Sequence, residues 1–399
     1  MTLLLQLIFS LCILGMLHSY LLFPLILRWL TRGKQTNQLH FDEDGEWPEV
    51  RVIMAVYNEE KVIQQKMESL LAMDYPVHKL KIYVGSDCST DATNAILRSF
   101  QAQNNNLTIF PFQKRRGKPG QVNEIVSHLV AEEGVGSTIV YLMTDASVMI
   151  PPASLKKMVR HFRNPKIALV DAHMRSTGLQ QEGISRSENK YVGREVQLKQ
   201  WESIWKGQMI GPFGGCYAIR SDYFTPVPPN YLVDDFFICM KALEKGGMAI
   251  NDLEAVCYEA ISHDIGEEFR RKSRISAGNF QNLRNFRHLA NPLGSTLGFA
   301  FFSHKVLRWM GPFFIIFAFI SSLLLALDQN KLFLYLLYMQ GMVLFVVPML
   351  DWLFRQLKVN NFWLRSITYL LVMNLALLNG FFKYLKGIKT NVWQPTKRH

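Results

Sequence analysis

Three apolar runs in the first half of the chain each end in polar or acidic residues. These ends are Tyr57-Asn58-Glu59, Asp87 and Asp145. A single carboxylate at a strand end often caps the following helix, but three successive ends of this kind are hard to explain by capping alone. If they converge at one crevice, they suit a ribose, the edge of a nucleobase and a divalent cation, because hard cations take oxygen ligands.

Strand-like and helix-like patterns alternate through the middle of the chain and would position these residues. The strand-like runs cover residues 50–57, 81–87, 108–113 and 138–145. An amphipathic stretch at 59–73 and a helix-like segment after Asp91 lie between them. This alternation predicts an α/β fold with a mainly parallel, doubly wound sheet, and such sheets bind ligands beyond the carboxyl ends of their strands.

The N-terminal region is predicted to be a transmembrane anchor that spans residues 1–32. Residues 3–30 are almost continuously apolar and are long enough to cross a bilayer. A cleaved signal peptide is the alternative, but no positive region precedes the segment, and it is too long for a signal-peptide core. Arg28, Arg32 and Lys34 stand at its end, so the residues that follow are expected in the cytoplasm.

The C-terminal part is also apolar and is predicted to be a transmembrane region at 310–386. The candidate spans are residues 311–327, 332–350 and about 363–382. Residues 291–309 are predicted to form an interfacial helix, and 387–399 form a basic tail. Three spans after a cytoplasmic domain would put the C-terminus outside, whereas the basic tail favours the inside. Either one apolar segment is re-entrant or interfacial, or the number of spans differs by one.

Charge and cysteine content argue against nucleic-acid binding and for a cytosolic location of the thiols. The formal net charge is +12, and 49% of the residues are apolar. Basic residues beside membrane spans suit anionic lipid headgroups, and no folded nucleic-acid motif accompanies them, so nucleic-acid binding is not expected. The five cysteines contain no C-x-x-C pair, which predicts reduced thiols on a cytosolic face.

The order and spacing of several motifs resemble the family 2 glycosyltransferases, and in particular their membrane-integrated branch of poly-N-acetylglucosamine, hyaluronan and cellulose synthases. Ala55–Glu59 is similar to the family's P-x-Y-N-E, and Ser86–Asp91 to its D-D-G-S-T-D turn. Gly117-Lys118 begins a match to G-K-x-x-x-x-N, although a basic run here also suits a solvated loop. The resemblance implies a GT-A-type, Rossmann-like domain for nucleotide-sugar binding at residues 48–290, with transmembrane helices on both sides.

The same resemblance implies roles for the residues that match these motifs. The nucleotide-sugar ligands would be Tyr57, Asn58, Glu59, Asp87, Lys118 and Asp145. The family's metal motif D-x-D reads Asp145-Ala146-Ser147 here, so the second carboxylate is missing. Asp145 is still expected to approach a cation, Mg²⁺ or Mn²⁺, although Ser147 is a poor ligand for one.

Further motifs imply an acceptor site, a base and a site for the leaving diphosphate. Residues 211–220 resemble the family's G-G-x-x-A-x-R acceptor segment through Gly214-Gly215, and adjacent glycines allow close approach of a backbone to a ligand. Asp234-Asp235 matches E-D-x-x-L, which places Asp234 beside the acceptor and makes Asp235 the general base; the alternative is that both acids only complement a helix dipole. Arg271 and Arg274 match (Q/R)-x-x-R-W and suit a diphosphate, because guanidinium donates bidentately.

The expected function is an inverting transfer of a sugar from a UDP-sugar to a growing polysaccharide or a lipid-linked acceptor. The enzyme is expected in the cell inner (plasma) membrane as a multi-pass protein with a cytoplasmic catalytic domain. Ile275 replaces the motif's Trp, which favours the alternative of a single transfer to a lipid. A non-catalytic scaffold or a transporter is a remote alternative, since the candidate spans carry essentially no charges beyond their edges.

Overall fold

The computed structural model describes residues 1–42, 45–177, 184–260, 265–359 and 361–392. The end of the predicted basic tail, from 393 to 399, lies outside these residues. The chain divides into two units. The apolar-helix unit comprises Met1–Leu30, Leu179–Glu195 and His263–Gly387, and the sheet unit comprises Thr31–Gly178, Val196–Ser262 and Ile388–His399.

The described residues of the sheet unit form one eight-stranded sheet with the order β3-β2-β1-β4-β7-β6-β8-β5. The strands are β1 Glu49–Val56, β2 Leu80–Asp87, β3 Leu107–Phe112, β4 Ile139–Asp145, β5 Val148–Met149, β6 Ile167–Thr177, β7 Cys216–Arg220 and β8 Met248–Ala260. The four strands predicted from the sequence are confirmed as β1 to β4, and they pair in parallel. The other half is mixed, because β7 runs antiparallel to both β4 and β6, and β5 runs antiparallel to β8.

The helices alternate with the strands in the middle of the chain and follow one another toward its C-terminus. They are α1 Thr2–Leu30, α2 Ile63–Leu71, α3 Thr93–Gln101, α4 Gly117–Glu133, α5 Ser154–Val159, α6 Ile184–Lys206, α7 Asp234–Glu244, α8 Ile265–Asn285, α9 Thr296–Trp309, α10 Gly311–Leu327, α11 Lys331–Gln356 and α12 Phe362–Leu385. Short 3-10 turns occur at Val77–Lys79, Arg160–Arg163, Ser221–Tyr223 and Arg287–Leu289.

The core of the sheet unit lies between the central strands and the helices that connect them. β1 is buried along seven of its eight residues, as expected for a parallel strand covered on both faces. Val52, Met54 and Val56 of β1 belong to the same core as Ile63 and Met67 of α2. This packing fixes the carboxyl ends of the central strands, from which the candidate site residues emerge.

The apolar-helix unit contains the candidate membrane spans. Among the described residues, α1, α11 and α12 are each long and apolar enough to cross a membrane. α9 and α10 meet that criterion only as a pair, and they are bent by 62° at the break between them. The described part of the chain therefore has three candidate spans, or four if the bent pair counts as one.

Candidate active site

The carboxyl ends of β1, β2 and β4 lie side by side in the sheet. β1 pairs in parallel with both neighbours, with Val56 beside Ser86 and Ala55 beside Asp145. Asp87 and Asp145 are the last residues of β2 and β4. Because parallel strands present their carboxyl ends at one edge, the residues that the sequence singled out come together there.

Asn58 and Glu59 connect the loop after β1 to the loop after β2. Asn58 has a left-handed backbone conformation with a φ of 51°, which Asn tolerates better than most residues. Its side-chain oxygen accepts a hydrogen bond from the Thr90 N–H at 2.8 Å. The Glu59 N–H donates to Thr93 Oγ1 at 2.9 Å. These two residues therefore shape the backbone at the mouth of the crevice.

Asp87 is fully buried and organises the basic loop at residues 114–118. It accepts hydrogen bonds from the backbone N–H groups of Arg116 at 2.7 Å and Gly117 at 3.0 Å. It also accepts one from Arg115 Nε at 3.0 Å, and the Arg115 guanidinium carbon lies 3.3 Å from the centroid of the Tyr57 ring. The basic loop is thus packed onto the crevice, and contact of Asp87 with a nucleotide base stays a prediction.

Lys118, Asp145, Asp234 and Asp235 form a charged group at the centre of the site, which we call the carboxylate cluster. Lys118 Nζ lies 2.6 Å from Asp145 Oδ1 and 3.8 Å from Asp234 Oδ2. Burial favours a lower pKa for the Lys118 ammonium, but Asp145, Asp234 and Asp235 together hold this pKa above its ordinary value. One cation faces three carboxyl groups, so the carboxylates are incompletely neutralised.

Asp235 has a proton affinity that is suited to base catalysis. Burial, with a further contribution from Asp234, raises the pKa of the Asp235 carboxyl to about 7, against the opposing effects of Lys118 and the Phe236 N–H. A helix dipole would lower the pKa of an acid at the start of α7, so dipole complementation alone does not explain this environment. A base with a pKa near the working pH is partly ionised and still has a useful affinity for a proton.

Gly214 and Gly215 bring the backbone against this carboxylate. Gly214 has a φ of 85°, and a Cβ at this position would lie 2.0 Å from Asp235 Oδ2. A Cβ on Gly215 would lie 2.8 Å from Met174 Cε. The Gly215 carbonyl accepts the Asp145 N–H at 3.0 Å. Glycine is needed at Gly214, because its backbone has a positive φ and a side chain would displace the proposed base.

The donor set near Asp145 can be compared with what a divalent cation needs. The Ser147 hydroxyl donates to Glu259 Oε1 at 3.3 Å, so β8 supplies a carboxylate beside the position where D-x-D has its second acid. The part of the chain that the structure describes has no group of three or more His, Cys, Asp or Glu side chains that could hold a metal. Mg²⁺ is usually held by one or two carboxylates together with substrate phosphates, and Asp145 fits that smaller set.

Arg271 and Arg274 lie on α8 in the apolar-helix unit, whereas the other predicted site residues belong to the sheet unit. Arg271 Nη1 lies 3.6 Å from Glu268 Oε2 one turn away. The predicted contact of these two arginines with a diphosphate stays a prediction.

Lys66 is a buried cation below the site that the sequence analysis did not single out. It is 0% exposed, and its Nζ donates to Thr144 Oγ1 at 2.7 Å and to the Val148 carbonyl at 2.5 Å. Burial lowers the pKa of Lys66 to about 8. A signal was available, because Lys66 falls at helical spacing between Ile63 and Leu70, on the face that packs into the core.

Two protein families match overlapping regions of the chain. The family described as "Glycosyl transferase family 2" matches residues 51–224. The family described as "Glycosyl transferase family group 2" matches residues 139–382. The first match covers the ends of β1, β2 and β4, and the second covers Gly214-Gly215, Asp234-Asp235 and both arginines of α8.

Two curated proteins illustrate the range of relatives. A beta-monoglucosyldiacylglycerol synthase from Synechocystis sp. is 29% identical over 125 residues, which are 30% of this chain and 24% of that protein. The poly(ribitol-phosphate) beta-N-acetylglucosaminyltransferase TarS of Staphylococcus aureus is 27% identical over 213 residues, which are 52% of this chain and 35% of that protein. The matches thus span about a quarter to a third of the length of these relatives.

A solved structure shows the same fold over nearly the whole chain. The mannosyltransferase PcManGT from Pyrobaculum calidifontis, in complex with GDP-Man and Mn²⁺, superimposes with a TM-score of 0.66 at 19% identity, covering 95% of this chain and 99% of that one. This likeness assigns the GT-A fold. Since the second family match alone covers more than half of the residues, the chain belongs to the family 2 glycosyltransferases and is a glycosyltransferase enzyme.

Proposed function

We propose that this enzyme transfers a sugar from a UDP-sugar to a polysaccharide or lipid-linked acceptor with inversion at the anomeric carbon. The observation that carries the proposal is Asp235, a half-buried carboxyl with a pKa near 7 that lies against Gly214 at the centre of the carboxylate cluster. Inversion in one displacement needs a single base on the acceptor side. Asp235 has the position and the proton affinity for that role.

In the proposed reaction the acceptor hydroxyl attacks the anomeric carbon while Asp235 accepts its proton. A bond forms between the acceptor oxygen and the anomeric carbon, and the bond from that carbon to the phosphate oxygen breaks. Its electron pair leaves with UDP. Lys118 stands between Asp145 and Asp234, where its ammonium stabilises the charge that develops on the diphosphate.

The donor side of the site is proposed to contain the strand-end residues and a divalent cation. Tyr57, Asp87 and the loop ordered by Asn58 and Glu59 would hold the nucleoside, and Asp145 would hold Mg²⁺ or Mn²⁺ together with the diphosphate. A bound cation would supply charge neutralisation to the leaving group. The Mn²⁺ in the similar mannosyltransferase structure supports a metal in this fold. Arg271 and Arg274 are proposed to hold the diphosphate as well.

Two kinds of acceptor are supported by the relatives. One matching relative is named a glucosyldiacylglycerol synthase, and another, from Staphylococcus epidermidis, is named a poly-beta-1,6-N-acetyl-D-glucosamine synthase and is 27% identical over 128 residues. Polymer synthesis fits the membrane-integrated branch of the family. A single transfer to a lipid is the second candidate, favoured by Ile275 at the position of the motif's Trp.

We also propose a membrane topology in which the catalytic domain and the C-terminal tail both lie in the cytoplasm of a cell whose inner membrane holds the chain. α10 runs antiparallel to α1, because Thr2 Oγ1 donates to Asp328 Oδ2 at 3.2 Å and a Cβ on Gly15 would lie 2.9 Å from the Phe314 ring. These contacts support α10 as a span that returns to the side of the N-terminus and α11 as the span that leads back to the cytoplasm. α12 then lies along the cytoplasmic face, with Arg365 Nε near its start 3.0 Å from Asp351 Oδ1 of α11, and this leaves Lys383, Lys386 and Lys389 inside, as the positive-inside rule requires. Single cysteines introduced at Gln329 and Lys389 would be expected to react with an impermeant maleimide from opposite sides; reaction from the same side would contradict the topology.

The function is tested by transfer assays with the purified full chain in detergent. A panel of UDP-sugars and GDP-sugars with Mg²⁺ or Mn²⁺ would be incubated with a membrane lipid extract or with oligosaccharides, and the products resolved by mass spectrometry. We expect transfer from a UDP-sugar, and a β-linked product from an α-linked donor. A product of retained configuration would contradict the inverting mechanism, and transfer from GDP-sugars alone would contradict the proposal that the donor is a UDP-sugar.

A further inference from the structure

A second set of buried charges lies behind the loop that carries the two glycines. Asp171 on β6 and Lys199 on α6 are 0% and 2% exposed, and Lys199 Nζ lies 3.2 Å from Asp171 Oδ2. Both oxygens of Asp171 are 3.2 Å from the backbone nitrogen of Phe213, whose N–H they accept. Lys199 Nζ also lies 3.6 Å from the centroid of the Phe213 ring. The ion pair therefore contacts both the backbone and the side chain of Phe213.

Glu202 binds the same loop at Ile210, three residues before Phe213. It is fully buried and stands one helical turn after Lys199 on α6. Its Oε2 accepts the Ile210 N–H at 3.0 Å, and its backbone carbonyl accepts the Gln208 N–H at 3.3 Å. Two buried carboxylates thus hold two backbone amides of the segment 208–214, which we call the glycine loop.

The position of the glycine loop determines the surroundings of the proposed base. Gly214 follows Phe213 directly, and the space between Gly214 and the Asp235 carboxylate is too small for a methyl group. Gly211 and Gly214 both have positive φ, 78° and 85°, so the loop has a conformation that needs restraint. A shift of the Phe213 amide would move Gly214 relative to Asp235.

Charged groups are a costly way to restrain a loop, which argues that position rather than stability is their role. Taking an ion pair out of water is expensive, and apolar replacements of buried pairs are often as stable or more so. A carboxylate accepts stronger and shorter hydrogen bonds from backbone amides than a neutral group does. Lys199 neutralises Asp171 without occupying its place at the Phe213 amide.

We propose that Asp171, Lys199 and Glu202 are positioning residues that hold the glycine loop against Asp235 and so set how the acceptor hydroxyl is presented to this base. The proposal rests on the proposed role of Asp235. It assigns these residues to the acceptor side of the reaction and separates them from donor binding, which uses the ends of β1, β2 and β4.

The test compares Lys199→Met and Glu202→Leu with a control that breaks a buried ion pair elsewhere in the sheet unit. Arg51→Met is suitable, because Arg51 is 2% exposed and pairs with Glu133 at 2.6 Å near the amino end of β1. Glu202→Gln keeps an oxygen that can accept the Ile210 N–H and serves as the conservative rescue. Enzyme concentrations are normalised to the number of sites that bind UDP in calorimetry, so that partial unfolding does not count as lost activity.

Lys199→Met and Glu202→Leu are expected to lower kcat/KM for the acceptor by about tenfold to a hundredfold, as small misplacements of reacting groups do. They should leave the Kd for UDP within about twofold of the parent and move the acidic limb of the acceptor kcat/KM profile. Glu202→Gln should recover most of the loss, and Arg51→Met should change none of these quantities per active site. The proposal is overturned if Lys199→Met and Glu202→Leu behave like Arg51→Met, or if donor affinity falls in parallel with acceptor kcat/KM.

The outcome can be separated from a failure of the proposed function. If Asp235→Asn keeps full transfer activity, the base assignment fails and the positioning proposal fails with it. If Asp235→Asn is inactive while Lys199→Met matches Arg51→Met, only the positioning proposal fails.

Discussion

Two clusters of charge, one in each unit of the chain, surround a carboxyl group in opposite ways. In the sheet unit, Asp235 has two carboxylates and one ammonium as neighbours, and its pKa is raised to about 7. In the apolar-helix unit, Glu195 on α6 is bound by His304 Nε2 at 2.8 Å, Lys305 Nζ at 2.5 Å and Arg308 Nη1 at 2.6 Å. Burial favours a raised pKa for Glu195 too, but His304, Lys305 and Arg308 hold it well below its ordinary value.

The difference shows how the balance of neighbouring charges decides the role of an acidic side chain. Glu195 is fully paired and stays ionised near neutral pH, so it can hold α6 against α9 but cannot exchange a proton there. Asp235 has too few positive neighbours and can change its protonation near neutral pH. The same side-chain chemistry therefore serves structure in one place and is suited to catalysis in the other.

The largest effect is expected from removing the titratable group. Asp235→Asn keeps the size of the side chain but removes the base, so transfer at pH 8 should fall by about a thousandfold, within the range that general bases contribute. The Kd for UDP should change little. Initial rates of transfer and calorimetry measure the two quantities, and a variant with near-parental kcat would contradict the base assignment.

Removing the Glu195 carboxylate should lower the stability of the fold and leave catalysis unchanged. Glu195→Gln removes the carboxylate that pairs with His304, Lys305 and Arg308, which should cost about 3 kcal/mol of unfolding free energy with transfer per folded enzyme unchanged. Because the pKa of Glu195 is lowered by folding, its contribution is fully present above its unfolded pKa and is lost only as pH falls through the lowered value. The gap in thermal midpoint between parent and variant should thus still be present at pH 8 and close only at acidic pH, where the Glu195 carboxylate of the parent becomes protonated. A variant as stable as the parent at pH 7 would contradict this picture.

Removing the only cation of the carboxylate cluster should affect both donor binding and the base. Lys118→Met should weaken UDP-sugar binding by roughly thirtyfold, since a hydrogen bond to a charged group contributes about 2 kcal/mol. Lys118 lowers the pKa of Asp235, so its loss should move the acidic limb of activity to higher pH. Lys114→Met, in the same basic loop, is the matched control and should shift neither the donor KM nor the limb.

The smallest effect is expected from the neighbouring acid. Asp234 raises the pKa of Asp235, so Asp234→Asn should lower that pKa and extend activity to lower pH. The expected shift is about one unit, typical of a nearby like charge, and a pH series of acceptor kcat/KM measures it. A limb that moves upward would show that Asp234 acts in another way.

The part of the site that depends on local pattern was predictable from the sequence. Apolar runs with polar ends predicted β1 to β4, and the rule for parallel strands correctly brought Asp87 and Asp145 to one edge. The adjacent Gly214-Gly215 and Asp234-Asp235 pairs also proved to lie in contact. These features can be recognised in the sequence because each depends on a few consecutive residues.

Contacts between distant segments were not predictable in this way. Glu259 reaches Ser147 across 112 positions of sequence, and Arg115 reaches Asp87 across 28. The mixed half of the sheet and the Asp171–Lys199 pair also depend on long-range pairing, for which spacing along the chain carries no signal. The sequence shows that Ser147 replaces the second acid of the D-x-D motif, but it does not show that Glu259 lies beside Ser147.

If Asp235 is the base, its protonation limits acceptor transfer near neutral pH. The pH profile of kcat/KM for the acceptor at saturating UDP-sugar tests this role most directly. Activity is expected to fall on the acidic side with a midpoint near pH 7, and the residual activity of Asp235→Asn is expected to lack this limb. A profile that stays flat from pH 5 to 8, or a limb that persists unchanged in Asp235→Asn, would contradict it.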